Sequence, residues 1–426
     1  MFRELWQPSA GAALFDATPV RELAQWPGRN KRWLTEAHLE LCRIPAPTFE
    51  EQTRAQWMVE QFKQYGWEAR LDRAGNVVAQ RPGRASAAKL LKDAPLTAIT
   101  AHLDTVIAPR TADDVVLGRD GRLIGPGVAD NGAGLVGLLA IARAIEETPV
   151  WNDLGLPMVL LANVGEEGEG NLSGMRYFCR PASFGSKVNA FLVLDGPGVD
   201  HITTRALGSR RFEVTITGPG GHSWSDFGTG NPVHAMARAI SMFCDRAPDL
   251  AGGESAYNFG LIEGGASVNA IPSSARAKLD LRSENAARIE SLSNWLSYCV
   301  EKAIEHENAS TKETSPRRVV AKIREIGARP AGQTAPDSPL LRHLNVVDSH
   351  LGIRARLDCS STDANIPMSM QIPAVSIGAG GAGGGAHTPG EWYHPEGREH
   401  GLRRIFLLAS LLMADADASI AQALHG

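Results

Sequence analysis

Three apolar runs, each stopped by a carboxylate or an imidazole, constrain this chain more than any other feature. PLTAITAHLDTV brings in His102 and Asp104, LPMVLLANVGEE brings in Glu166 and Glu167, and NAFLVLDGPG brings in Asp195. Short apolar runs bounded by turn residues read as strands covered on both faces. Between the first two runs, a stretch beginning near Asn131 and continuing through LVGLLAIARAI has the length of a helix. Strands alternating with helices predict an α/β domain, a mixed and mainly parallel sheet flanked by helices. Ligands gather at the carboxyl ends of strands in such sheets, so the polar residues that end these runs are expected to converge.

The flanking sequence fills in the domain. Residues 31–44 read as a helix, and Thr48 and Glu51 have capping-box spacing ahead of WMVEQFKQYG, which Gly66 closes. WEARLDRAGNVVAQ reads as a hairpin turning at Ala74 to Asn76. Around Ser209 the period changes: RRFEVTITG and ARAKLDLRS alternate like half-exposed strands, with PVHAMARAISMFCDRA as a helix between them. The polar stretch 306–318 reads as a loop. Residues 209–326 are therefore expected to form a small α+β domain inserted into a first domain made of 1–208 and 327–426. A chain of 426 residues, 43% of them hydrophobic, has ample material for two cores.

Charge and composition exclude several partners. Lys plus Arg number 43 against 47 Asp plus Glu, with no block of like charge, which speaks against nucleic acid and membrane surfaces. The longest apolar runs, Leu135 to Ala142 and Ile405 to Ala414, fall short of the roughly 20 residues that span a bilayer and are expected to be buried. The opening MFRELWQPSAGAALFDATPV lacks a basic stretch followed by an apolar core, so the protein is expected in the cytoplasm. Five scattered cysteines without a CxxC pair read as reduced structural thiols. GHSWS fails as a nucleophile elbow because Ser225 stands where the pattern needs glycine. The run Gly378 to Gly385 is not followed by Lys-Ser or Lys-Thr, so it reads as backbone passing close to a site and not as a phosphate loop.

A two-metal hydrolase needs a bridging carboxylate, terminal ligands for each ion, a general base and groups that orient its histidines. Each motif here has an ordinary alternative when taken alone. HLD can be a surface pair, Asp130 in GPGVADNGAG an N-cap, GEEGEG a solvated acidic turn, Asp195 a turn residue, and His387 in GGGAHTPGE a loop histidine. Their conjunction, in one order and on expected strand ends, carries the argument.

In that order the motifs resemble the metallopeptidase family that includes peptidase T, acetylornithine deacetylase, succinyl-diaminopimelate desuccinylase and the glutamate carboxypeptidases, across residues 30–420. The resemblance implies that His102 and Asp195 bind one metal ion, Glu167 and His387 the other, and that Asp130 bridges. It makes Asp104 the partner of His102 and Glu166 the general base. The implied cofactors are two divalent ions, zinc first, with cobalt or manganese as alternatives. The inserted domain resembles the family's lid, which in relatives also forms a dimer interface. GPGGHS then makes His222 an oxyanion stabiliser, and SVNAIP and LDLRS make Asn269 and Arg282 substrate-holding residues. SSTDANIP, with Ser361, Thr362 and Asp363, resembles a substrate-contacting loop but departs from the glycine-rich form common there. The implied activity is cleavage of an amide bond in a short peptide. Aspartate at 195, in place of the glutamate of deacylases, points to an aminopeptidase on di- or tripeptides. An N-acyl amino-acid deacylase or carboxypeptidase with the same centre is the alternative, and a non-catalytic dimeric binding protein the third reading.

Overall fold

A computed structural model describes residues 13–81, 96–154, 156–181, 183–252, 255–311, 318–416 and 420–422. Residues 1–12 of the opening segment and 312–317 of the polar stretch lie outside them. The chain divides into two compact units, Met1–Arg205 with Gln333–Gly426, and Ala206–Gly332.

The first unit is built on a nine-stranded sheet. Its order runs Glu68–Leu71, Val77–Gln80, Met158–Asn163, Leu96–His102, Val188–Leu194, Ala374–Ile377, His201–Ala206 and Gly332–Gln333, with Arg356–Ser360 paired to His201–Ala206. The four middle strands are parallel, Leu96–His102 pairing with both Met158–Asn163 and Val188–Leu194, which pairs in turn with Ala374–Ile377. Every residue of Leu96–His102 and Met158–Asn163 is buried. That is the reason these strands read as unbroken apolar runs: helices cover both faces and leave no wet side to alternate with. Helix Gly132–Glu147, nearly all buried, and helix Arg398–Ala416 supply the two long apolar runs of the sequence. Among the described residues no helix is long and apolar enough to cross a membrane.

Register levels the carboxyl ends of these strands. His102 lies opposite Asn163, and Ile377 opposite Leu194. The loops that follow carry His102 to Asp104, Glu166 and Glu167, Asp195, and the glycine run that leads to His387. A separate four-stranded antiparallel sheet, Ala382–Gly384, Trp392–His394, Leu123–Ile124 and Val116–Leu117, ties the His387 segment to the residues just before Asp130.

The inserted unit is a four-stranded antiparallel sheet in the order Ser255–Gly264, Ser274–Ser283, Gly208–Thr217, Val320–Arg329. Helices Pro232–Ala251 and Ala286–Ala309 pack on it, each started by an asparagine, Asn231 or Asn285, whose side chain accepts main-chain N–H groups. Phe212, Val214, Ile216, Ala277, Leu279 and Leu281 bury themselves in this core. Residues between them form cross-strand ion pairs such as Arg211 with Asp280 and Arg324 with Glu213. This is the alternation that the sequence displayed.

Two local expectations fail. Helix Gln52–Gln64 forms, but no side chain caps it. Thr48 instead donates to Asp104 Oδ2 at 3.0 Å, and Glu51 accepts the N–H of Gly165 at 3.0 Å. Capping residues are attractive to helix ends only until a buried loop offers a better partner. Residues 306–309 belong to helix Ala286–Ala309 and not to a loop, because a polar face is what a surface helix needs.

Candidate metal centre

Asp130 is the geometric middle of the site. Its Oδ1 lies 3.1 Å from His102 Nε2 and its Oδ2 3.1 Å from His387 Nε2, so one carboxylate faces two imidazoles through different oxygens. Around this axis the other groups sort into two sides. His102 Nε2 is 3.9 Å from Asp195 Oδ1, and His387 Nε2 is 2.8 Å from Glu167 Oε1. Atoms of His102, Asp130 and Glu167 lie within 4.8 Å of one another, close enough to share an ion.

The main chain aims these groups. His102 is held by a bond between its Nδ1 and the carbonyl of Asp104 at 2.9 Å, whereas the Asp104 carboxylate stands 3.6 Å away. That carboxylate accepts the N–H groups of Glu166 at 3.0 Å and Glu167 at 2.8 Å. Asp104 thus orients the histidine mainly through its backbone, while its carboxylate anchors the acidic loop. Gly165, at φ +66°, turns the chain into that loop where a side chain would overlap Ser173. Asn131, not Asp130, is the N-cap of helix Gly132–Glu147. Its Oδ1 accepts from Gly134 and Gly196 while its Nδ2 donates to the carbonyl of Leu194, lashing the Asp130 loop to the strand that ends in Asp195. The glycine run passes close by, since a Cβ on Gly383 would stand 2.9 Å from that of Ala129.

Electrostatics follow from this crowding. Burial works against charge on His102, but Asp104, Asp130 and Asp195 overcome it and hold the imidazole well above its usual pKa. Burial likewise opposes an ionised Asp130, and hydrogen bonds from His102 and His387 outweigh it, leaving the carboxyl well below the usual range. His387 is pushed up to about 9, first by its bond to Asp130, against partial burial and with help from Glu167. Burial raises Glu167. Imidazole nitrogens and carboxylate oxygens whose charges balance only with extra protons fit divalent cations, which replace those protons.

Residues 98–413 match the peptidase family M20/M25/M40. The chain belongs to that family. It is similar to the cytosol non-specific dipeptidase of Escherichia coli K12, 25% identical over 288 residues that cover 61% of this chain and 56% of the relative. The chain therefore spans little more than half the length of that relative. The fold is that of the aminopeptidase PepT of Bacillus cereus ATCC 10987, at TM-score 0.69 and 18% identity, covering 90% of this chain and 98% of the other. A tripeptidase of Staphylococcus aureus Mu50 matches equally well, at TM-score 0.69 and 19% identity over 92% of this chain and 99% of the other.

The other expected site residues of this M20 chain are spread out. Thr362 is buried and lines a cavity of about 200 Å³ together with Asp195, Asp200, Thr203 and Ser360. Ser361, beside it, is half-buried. Asp363 turns inward, bonded at 2.6 Å to Asn163, and burial pushes its carboxyl up to about 7. In the inserted unit, His222 and Asn269 stand on adjoining exposed segments: Gly221–His222 pairs with Ala270–Ile271, and the N–H of Ser223 donates to the Asn269 carbonyl. The structure does not bring Arg282 to them. Arg282 pairs with Ser209 at the end of its strand opposite Ser274, which pairs with Thr217. Eight residue steps along the strand separate the two ends, about 26 Å at ~3.3 Å each. Arg282 itself is held by Asp280 at 2.8 Å. Glu391, Asn131, Thr48 and Glu51 serve the site without having been singled out for it, because main-chain N–H groups and loop contacts leave no motif in a sequence.

Proposed function

We propose that this chain is a two-metal amidohydrolase acting as an aminopeptidase on di- or tripeptides. The observation that carries the reading is Asp130, whose two oxygens face His102 and His387 separately, as a bridge between two cations requires. His102 and Asp195 would hold one ion and His387 and Glu167 the other, with zinc the first choice for such ligands. Divalent ions bound there lower the pKa of water and polarise the scissile carbonyl.

The remaining steps fall to the chain itself. Glu166, buried in the acidic loop that Asp104 anchors, takes the proton of the attacking water and hands it to the leaving amine. His222 donates to the developing oxyanion, and Asn269 with Arg282 holds the substrate, the guanidinium clasping its carboxylate. Thr362 lines the cavity beside Asp195, and it bears on the substrate's end together with its neighbour Ser361. Because His222 and Asn269 lie far along the sheet from Arg282, a single copy of the inserted unit is badly placed to offer all three to one substrate. This supports a homodimer in which each site takes His222 and Asn269 from one subunit and Arg282 from the other. The likeness to a relative named as a cytosol dipeptidase supports short peptides as substrates and the cytoplasm as location.

The test is to load the protein with Zn²⁺, Co²⁺ or Mn²⁺, offer dipeptides, tripeptides and N-acyl amino acids, and identify products by mass. Release of the amino-terminal residue from short peptides is expected. Release of acetate or succinate alone would make the protein a deacylase, and release of the carboxyl-terminal residue a carboxypeptidase. A loaded protein that holds no ion would remove the hydrolase reading altogether.

A further inference from the structure

One buried carboxylate near the site is bound by main-chain N–H groups alone among the hydrogen bonds described. Glu391 is 2% exposed. Its Oε1 accepts the N–H groups of Ala129 at 2.7 Å and Asp130 at 2.8 Å, and its Oε2 accepts that of Gly127 at 2.9 Å. Its own carbonyl accepts the N–H of Gly125 at 2.9 Å. Four contacts therefore join one residue to both ends of the loop that carries Asp130. Glu391 also follows His387 by four positions, and the next two residues, Trp392 and Tyr393, pair with Ile124 and Leu123. A buried N–H left without an acceptor is destabilising, so three of them fix the loop against the carboxylate more firmly than packing alone would.

We propose that Glu391 is a positioning residue, a clamp that sets the Asp130 loop against the His387 segment and so fixes the spacing between the two halves of the metal centre. The inference rests on the two-metal reading. Glu391 touches neither substrate nor ion in this scheme; it acts through the main chain of Asp130. Glutamine is the informative replacement, because its amide group keeps the volume of the carboxylate but turns an N–H donor toward one of the three donors it must accept.

The test titrates metal-stripped wild type and Glu391→Gln with Zn²⁺ by calorimetry, and follows amide hydrogen exchange in both metal-free proteins. Wild type is expected to bind two ions. The variant is expected to bind at least one of them tenfold or more weakly, the range seen when groups supporting a ligand are lost, with faster exchange confined to residues 125–131. Leu411→Ala, a cavity in the buried helix Arg398–Ala416, controls for stability, and should lower the melting temperature while keeping wild-type affinity. If the glutamine variant does not fold, Glu391→Asp, which keeps the charge on a shorter arm, takes its place with a smaller loss of affinity expected. Wild-type affinity and exchange in the Glu391 variant, or an equal loss in the Leu411 control, would overturn the clamp and leave the metal reading standing. A wild type that binds no ion would overturn both.

Discussion

Glu166 and Glu167 are neighbours in the chain with divided duties. Glu167 turns its carboxylate to His387 at 2.8 Å, while the N–H groups of both residues are pinned by Asp104. Replacing Glu166 by Gln keeps that main-chain frame, so two ions should still bind while kcat falls by about 10²–10⁴, as loss of a general base implies. Steady-state kinetics beside metal analysis check this, and unchanged turnover would take Glu166 out of the proton path. His387 supplies the pH dependence. Its imidazole is raised to about 9 in the metal-free protein. A raised pKa contributes stability that is complete below the usual 6.5 or so and fades as pH climbs through 9. Metal ions compete with the same proton. Metal-free protein should thus melt at lower temperature as pH rises from 6.5 to 9, and zinc affinity should rise over that window. Thermal scans and calorimetric titrations at several pH values would show this, and affinity flat with pH would contradict the assigned environment of His387.

Elements show which signals travel well from sequence to structure. The strands that end in His102, Asn163 and Leu194 were legible because burial on both faces writes a continuous apolar run. The helix after Asn131 was legible by length and composition. Thr48 and Glu51 were misread because the capping-box spacing is local, whereas Asp104 and Gly165, their actual partners, arrive from far along the chain. A second distant partnership joins helix Pro339–Leu351 to helix Arg398–Ala416. Arg404, fully buried, donates to both oxygens of Asp348 at 2.6 and 2.5 Å. Removing one partner of such a pair leaves the other charged and dry, so Asp348→Ala should cost about 3–5 kcal/mol. Denaturant unfolding measures it, and a loss under about 1 kcal/mol would mean that water reaches the guanidinium.

For the whole molecule, the question is which copy completes which site. If His222 comes from one subunit and Arg282 from the other, His222→Ala and Arg282→Ala should each be nearly inactive as pure dimers. Mixed and allowed to exchange subunits, they should recover about a quarter of wild-type activity, since half the dimers are hybrids and each hybrid has one intact site. No recovery, with hybrids demonstrated by mass, would mean that each site is built within one chain. Size measurement in solution tests the dimer itself.

The residue types, their order and the apolar strands before them were determined by sequence alone, because periodicity and polar termination follow from which faces of a strand meet water. That reading gave the α/β class, the inserted domain and membership of a metallopeptidase family. Only the tertiary structure decided that Asp130 would face two imidazoles, that Asp104 would orient His102 through its carbonyl, and that Glu391 would hold the Asp130 loop. Such contacts join segments as much as 264 residues apart. They depend on main-chain atoms that every residue carries, so no residue type announces them before the chain has folded.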